Sequence, residues 1–175
     1  MLHEGDPAPE ISTDSINKQH ISLNVLKGRK VLIKFHRFSG CPIAQNHIHE
    51  FMKRQQELNA AGIESIIFLH SSPDKIASSY SEVPGLHIIG DKSKTFYKLY
   101  GAEFSWKKFF TWHTWKETIA SIFKGYPPLF NKFEGGIIGL PSDFFVDENG
   151  NISNLHFGKH YGDSWSVDEV LKISK

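Results

Sequence analysis

Lys30-Val-Leu-Ile-Lys-Phe-His-Arg-Phe-Ser-Gly-Cys-Pro-Ile-Ala44 is the stretch that decides how this 175-residue chain folds. Lys30 to His36 is a β-branched and apolar run, the pattern of a buried strand. Gly40 allows a sharp turn. Pro42 stands where a first helical residue should be, because its missing N–H costs nothing there. Cys41 therefore falls at the N-cap or in the first turn of a helix that continues through Gln45 to Leu58. Unpaired backbone N–H groups and the positive end of the helix dipole converge at that place, and both stabilise a thiolate. Cys41 is the only cysteine. A lone cysteine is more commonly a buried structural residue, but strand, glycine, cysteine, proline and helix in this order favour a reactive thiol.

Composition narrows the field. Lys and Arg number 20 against 19 Asp and Glu, a formal charge of +1, so nothing steers the chain toward nucleic acid or an anionic membrane. Met1-Leu-His-Glu-Gly-Asp-Pro7 has no apolar core of a secretory signal. No apolar run approaches the ~20 residues of a membrane span. A single cysteine excludes an internal disulfide and a cysteine-rich zinc site, and it fits a reducing, cytoplasmic compartment. The length suits one domain over residues 1–175.

Working outward, the Gly5-Asp-Pro-Ala-Pro9 leader is extended, and Ile21 to Leu26 is a short strand or turn closed by Lys27-Gly28-Arg29. Ile43, His47, Phe51, Arg54 and Leu58 mark one face of the helix after Cys41, which Ala61-Gly62 ends. Ile63 to His70 is a second buried strand. Ser71-Ser72-Pro73-Asp74 opens a helix to about Tyr80, Leu86 to Gly90 is a third strand, and Ser93 to Tyr100 is a short helix. The later part changes character: Ser142 to Val146 and Ile152 to Phe157 are strands joined by the hairpin turn Asp147-Glu-Asn-Gly150. A last helix, Ser166 to Ile173, starts with the capping box Ser166-Val-Asp-Glu169. The sum is an α/β fold, βαβ followed by ββα.

Residues 102–134 interrupt that pattern as an aromatic-rich insertion. Phe104 to Lys124 suits a helix with apolar residues on more than one face, interleaved with Lys and His. The insertion reads as a helical flap over the domain, a contact in a homodimer, or a membrane-surface element.

Around Cys41 the sequence offers few further groups with chemistry. Arg37 is an always-charged neighbour, able to stabilise a thiolate or bind a peroxide oxygen, or else a solvated loop residue. His36 ends the strand and reads as a packed histidine. His47 and His49 face different ways on one helix, and no carboxylate stands at ligand spacing from His156 and His160, so no metal or other cofactor is expected. Ser39, Ser71 and Ser72 lack a nucleophile elbow or triad. Gly135-Gly136 and Gly139 precede a strand, the wrong side for a phosphate loop. The Gly139-Leu140-Pro141 turn opens the hairpin at the sheet end where ligands usually bind. A cis bond there would present the Leu140 backbone to an extended substrate.

Taken together, Gly5-Asp-Pro-Ala-Pro9, Leu26 to Phe35, Arg37-Phe-Ser-Gly-Cys-Pro42, Gly139 to Ile152 and Gly158 to Val170 resemble the peroxiredoxin-like branch (AhpC/TSA) of the thioredoxin-like superfamily. The resemblance implies a thioredoxin-like fold around a mixed central sheet. It also implies Cys41 as the redox cysteine and Pro141 as a cis-proline facing it. Two positions depart from the pattern: Ala44 replaces the second cysteine of Cys-Pro-x-Cys, and Phe38 stands where peroxiredoxins place Thr or Ser.

The expected function is a one-cysteine thiol peroxidase with antioxidant activity. Cys41 and Arg37 would be catalytic, and Pro42, Leu140 and Pro141 would position the peroxide. An external thiol, glutathione or a thioredoxin-type protein, would be the reductant. A monothiol oxidoreductase acting on disulfide substrates and a non-catalytic thioredoxin-like binding module are the alternatives.

Overall fold

The computed structural model describes residues 1–102, 112–126, 128 and 140–175. The expectations for Phe104 to Thr111, Pro127, Leu129 to Glu134 and the Gly139 turn lie outside the described residues. The chain runs β1 (Ser12–Asp14), β2 (His20–Ser22), β3 (Lys30–His36), α1 (Pro42–Ala60), β4 (Ile63–Leu69), α2 (Pro73–Ala77), β5 (Leu86–Gly90), α3 (Thr95–Leu99), α4 (Trp112–Phe123), β6 (Ser142–Val146), β7 (Ile152–Phe157) and α5 (Val167–Ile173). Five strands form one mixed sheet in the order β5-β4-β3-β6-β7, with β3, β4 and β5 parallel and β6 antiparallel to both its neighbours. β1 and β2 form a separate antiparallel pair. Among the described residues no helix is long and apolar enough to cross a membrane.

Each sheet face buries its own apolar cluster, because successive strand residues point to opposite sides. Val31, Ile33 and Phe35 join Phe68, Tyr97, Tyr100 and Phe144 on one face. Leu32 joins Ile48, Phe51 and Leu58 of α1, with Val167 and Val170 of α5, on the other. The inward face of α1 differs in detail from the expected one. Ile48 and Gln55 are buried beside Ile43, Phe51 and Leu58, whereas Arg54 turns outward to pair with Glu57 and Asp168, each at 2.7 Å. α2 stops at Ala77, short of the expected Tyr80. Of the insertion, α4 lies against α1, with the Tyr126 ring stacked at 5.0 Å on His49.

The α1 side of β3 holds more than carbon. Lys34 is fully buried, and its register partner on β6 is Asp143, also fully buried, with Nζ 2.9 Å from Oδ1. Lys34 also donates to the Trp165 carbonyl at 2.8 Å and sits 4.8 Å from the Phe51 ring centre. Burial lowers the Lys34 pKa while Asp143 opposes that shift. Asp143 in turn accepts from Ser164 Oγ and Trp165 N, at 2.9 and 2.7 Å. Two residues further along β3 is His36, its ring centre 5.5 Å from that of His47 on α1. Burial, then the positive Lys34, pushes His36 well below its ordinary value and His47 down to about 4.

Lys34→Met would leave Asp143 buried without its cation, at an expected cost of about 3–5 kcal/mol in urea unfolding. Adding Asp143→Asn, which keeps an acceptor for the Trp165 N–H, should recover much of that loss. A double variant as unstable as the single one would contradict the pairing. The histidines give a pH dependence of known sign. An unfolded His47 binds a proton near pH 6.5, and the folded one near 4. The stability this supplies is therefore complete above about pH 6.5 and lost as pH falls toward 4. His47→Gln should flatten the fall in unfolding free energy between pH 7 and 4 by up to about 3 kcal/mol. Urea titrations at stepped pH check it, and parallel curves for both proteins would refute it.

Candidate active site

Parallel β3 and β4 end, antiparallel β6 begins, and β7 ends at one edge of the sheet, since Phe35 pairs with Ser142 and Ser142 with Phe157. The loops that leave this edge carry Arg37 to Cys41, Ser71, Leu140 with Pro141, and residues 158–165. Position in the fold thus brings together parts of the chain more than a hundred residues apart in sequence.

Cys41 is the N-cap of α1, with extended backbone (φ −74°, ψ 122°) and Pro42 following at the first helical position. Its C=O accepts from Gln45 N at 3.0 Å and its N–H donates to the Phe38 carbonyl at 3.1 Å, which fixes the strand-to-helix turn. Ser39 N donates to Ser71 Oγ at 3.0 Å and braces the same turn from the β4 side. The sulfur is nearly enclosed, with Cys41 3% exposed, and its apolar surroundings include Ile43, Ala44, Tyr80 and Tyr161, with Phe38, Leu140 and Trp165 at their margin. Into this enclosure Arg37 points a guanidinium N–H at Sγ, 3.8 Å away. Arg37 is therefore not a solvated loop residue. The Arg37 guanidinium is thus the cation at the sulfur, and Cys41 stands at the N-terminal, positive end of the α1 dipole.

Leu140 packs at the edge of the cluster that contains Cys41. Pro141 is buried, and its carbonyl accepts from Gly158 N at 2.9 Å. The cis turn is corrected: no peptide bond among the described residues is cis, so Leu140–Pro141 is trans. Trans is the intrinsic preference of such a bond, and Pro141 enters the sheet through its C=O, which needs no cis turn. His36 is the packed histidine expected. His156 departs from expectation, since Asp163, in the loop after β7, closes to 2.9 Å of its Nε2. The Ser71 hydroxyl also donates to Ser39 Oγ at 3.3 Å, so both serines serve to brace this turn.

Sequence reasoning missed Tyr80, Tyr161 and the Lys34–Asp143 pair beneath the site. Tyr80 packs in the same apolar cluster as Cys41, and burial first, then Cys41, raises its phenol above the ordinary value. A signal for the ion pair was present: one Lys and one Asp, each inside an otherwise apolar strand. Tyr161 had no comparable signal.

A cleft of about 450 Å³ opens at the opposite edge of the sheet, lined by Gly28, Arg29, Lys30, Gly62, Glu64 and Glu148. Arg29 there pairs with Glu64, and Lys30 lies 3.8 Å from Glu148. Its charges pair with one another, and among the described residues no cysteine, serine or threonine lines it.

Known proteins place this architecture. The reduced 2-Cys peroxiredoxin of Plasmodium vivax superposes with a TM-score of 0.70 at 16% identity, over 99% of this chain and 81% of that one. A candidate thiol:disulfide interchange protein, DsbE, from Chlorobium tepidum superposes at 0.61 and 17% identity, over 100% of both chains. A cysteine-to-serine mutant of the peroxiredoxin 6 of Arenicola marina gives 0.69 at 9% identity, over 99% of this chain and 72% of that one. At these identities the likeness is one of fold, the thioredoxin-like fold. No curated protein sequence matches the chain. The AhpC/TSA family model matches residues 4–155, a span that holds β3, the cysteine turn, α1 and most of the hairpin, and on that match the chain belongs to the AhpC/TSA family.

Proposed function

We propose that the protein is a one-cysteine thiol peroxidase working through Cys41. The observation that carries this reading is the Arg37 N–H on Cys41 Sγ at the N-cap of α1; membership of the AhpC/TSA family supports it. The Cys41 thiolate attacks the terminal oxygen of a hydroperoxide. An S–O bond forms, the O–O bond breaks, and the departing alkoxide or hydroxide takes up a proton to leave as alcohol or water. Arg37 holds the anion before attack and meets charge developing on the peroxide oxygens as the bond breaks. Pro42 keeps the first turn of α1 at the sulfur, and the Leu140–Pro141 backbone, in its trans form, lines the approach for substrate.

The product is a cysteine sulfenic acid. With one cysteine in the chain, the resolving thiol is external. One molecule of glutathione, or a thioredoxin-type cysteine, condenses with the sulfenic acid, releasing water and leaving a mixed disulfide. A second thiol then displaces Cys41 as thiolate and carries away the disulfide. The aromatic insertion, where it lies on α1, would limit how that reductant approaches.

One observation favours a second reading. Phe38, not a hydroxyl residue, stands three positions before Cys41, and its ring lies 5.3 Å from the Arg37 guanidinium. A site without that hydroxyl suits monothiol exchange with a glutathione mixed disulfide, and the likeness to the DsbE chain is compatible with it.

The test is the rate at which reduced protein reacts with hydrogen peroxide, with sulfenic acid trapped and read by intact mass. Urea-unfolded protein supplies the reference thiol. A rate orders of magnitude above that reference, abolished by Cys41→Ser, is expected. Arg37→Leu should lower it by about tenfold to a hundredfold, the weight of one hydrogen bond to a charged group. A rate equal to the reference, with turnover of a glutathione mixed disulfide, would select the exchange reading. Inertness to both would leave a binding module.

A further inference from the structure

Arg37 is held by a residue that the sequence gives no reason to connect with it. The Tyr161 ring centre lies 4.0 Å from the guanidinium carbon of Arg37, closer than the 5.3 Å to Phe38. The same guanidinium donates to Cys41 Sγ. A cation seated against an aromatic face gains most where water is excluded, and Tyr161 is only 7% exposed. Burial raises the Tyr161 phenol above its ordinary value, so the ring stays neutral.

Tyr161 does not reach this place as a loose surface side chain. Its loop is tied down on both sides. Before it, Gly158 N donates to the Pro141 carbonyl at 2.9 Å, and a Cβ at position 158 would meet Asp163 O at 2.5 Å and Pro141 Cγ at 2.9 Å. After it, Asp163 accepts from Lys159 N at 2.7 Å and pairs with His156 at 2.9 Å. Ser164 and Trp165 then bond to Asp143, and Trp165 O to Lys34. The loop is thus fastened to the sheet centre at one end and to the β6 entry at the other, with Tyr161 between.

We propose that Tyr161 is a positioning residue: its ring holds the Arg37 guanidinium in the orientation that directs an N–H at the Cys41 sulfur. The role rests on the reading of Cys41 as a reactive thiol aided by Arg37. An arginine side chain has several rotatable bonds, and a flat wall at 4.0 Å removes most of the orientations in which it would miss the sulfur. In this scheme Tyr161 acts through Arg37.

The experiment measures the peroxide reaction of wild type, Tyr161→Phe, Tyr161→Leu, Arg37→Leu and the Tyr161→Leu/Arg37→Leu pair, each shown folded by near-ultraviolet circular dichroism. Phe keeps the ring face and should react within about twofold of wild type, while Leu should be slower by about tenfold, the upper range of a buried cation–π contact. In the Arg37→Leu background, Tyr161→Leu should cost nothing more, because the two act on one interaction. Should the Leu variant not fold, Tyr161→Met fills the space with a flexible apolar chain and carries the same comparison. A fast wild type with an equally fast Leu variant would overturn the role of Tyr161 and leave the reading of Cys41 standing. An equal Leu penalty with and without Arg37 would also overturn it, since Tyr161 would then act on the fold or the substrate. A wild type no faster than unfolded protein would end the underlying reading and the proposal with it.

Discussion

Lys34 and Asp143 face one another across the β3–β6 pairing with neither side chain exposed. Removing two charges from water costs several kcal/mol each, which their attraction repays only when the remaining donors and acceptors are satisfied. Here they are: Lys34 reaches the Trp165 carbonyl, and Asp143 takes the Ser164 hydroxyl and the Trp165 N–H. The pair therefore does more than join two strands. It fastens the loop after β7 to the centre of the sheet, directly below the edge from which Arg37 and Cys41 emerge. An apolar pair of the same volume could hold β3 to β6, but it could not bind the backbone of Trp165.

Much of the frame was legible because it depends on local patterns. β3, β5, β6 and β7 begin and end where alternating or β-branched runs begin and end, and α5 begins at its capping box. The strand, Gly40, Pro42 and the helix pattern put Cys41 at the N-cap or in the first turn, and it is the N-cap. The failures have tertiary causes. α2 ends at Ala77, before the expected limit, and Tyr80 turns into the core that holds Cys41. β1, three residues long with exposed ends, has too little apolar pattern to be seen without its partner β2. Leu140–Pro141 was expected cis through resemblance, not through any local feature of the residues, and it is trans.

The candidate site divides along the same line. Arg37 and Cys41 are four residues apart on one strand-to-helix turn, so sequence could offer both. Tyr161 lies far along the chain, and its approach depends on the direction of β7, the small volume of Gly158 and two anchors on Asp143 and Asp163. No spacing rule contains those three conditions at once. Side chains that act on a nearby nucleophile from a distant loop are the part of a site that folding, rather than sequence adjacency, assembles.

Enclosure of the sulfur changes the weight of each neighbour. At the surface a guanidinium near a thiol is screened by water and salt, and its orientation hardly matters. Around a cysteine that is 3% exposed, the effective dielectric is lower and one correctly aimed N–H counts for more. The same burial makes a misdirected arginine more harmful, because no water replaces the lost hydrogen bond. A buried site that relies on one flexible cation therefore needs that cation walled in. Phe38 and Tyr161 supply the wall, the Lys34–Asp143 pair keeps the loop bearing Tyr161 in place, and the geometry around Cys41 is thereby coupled to a charge pair in the sheet interior.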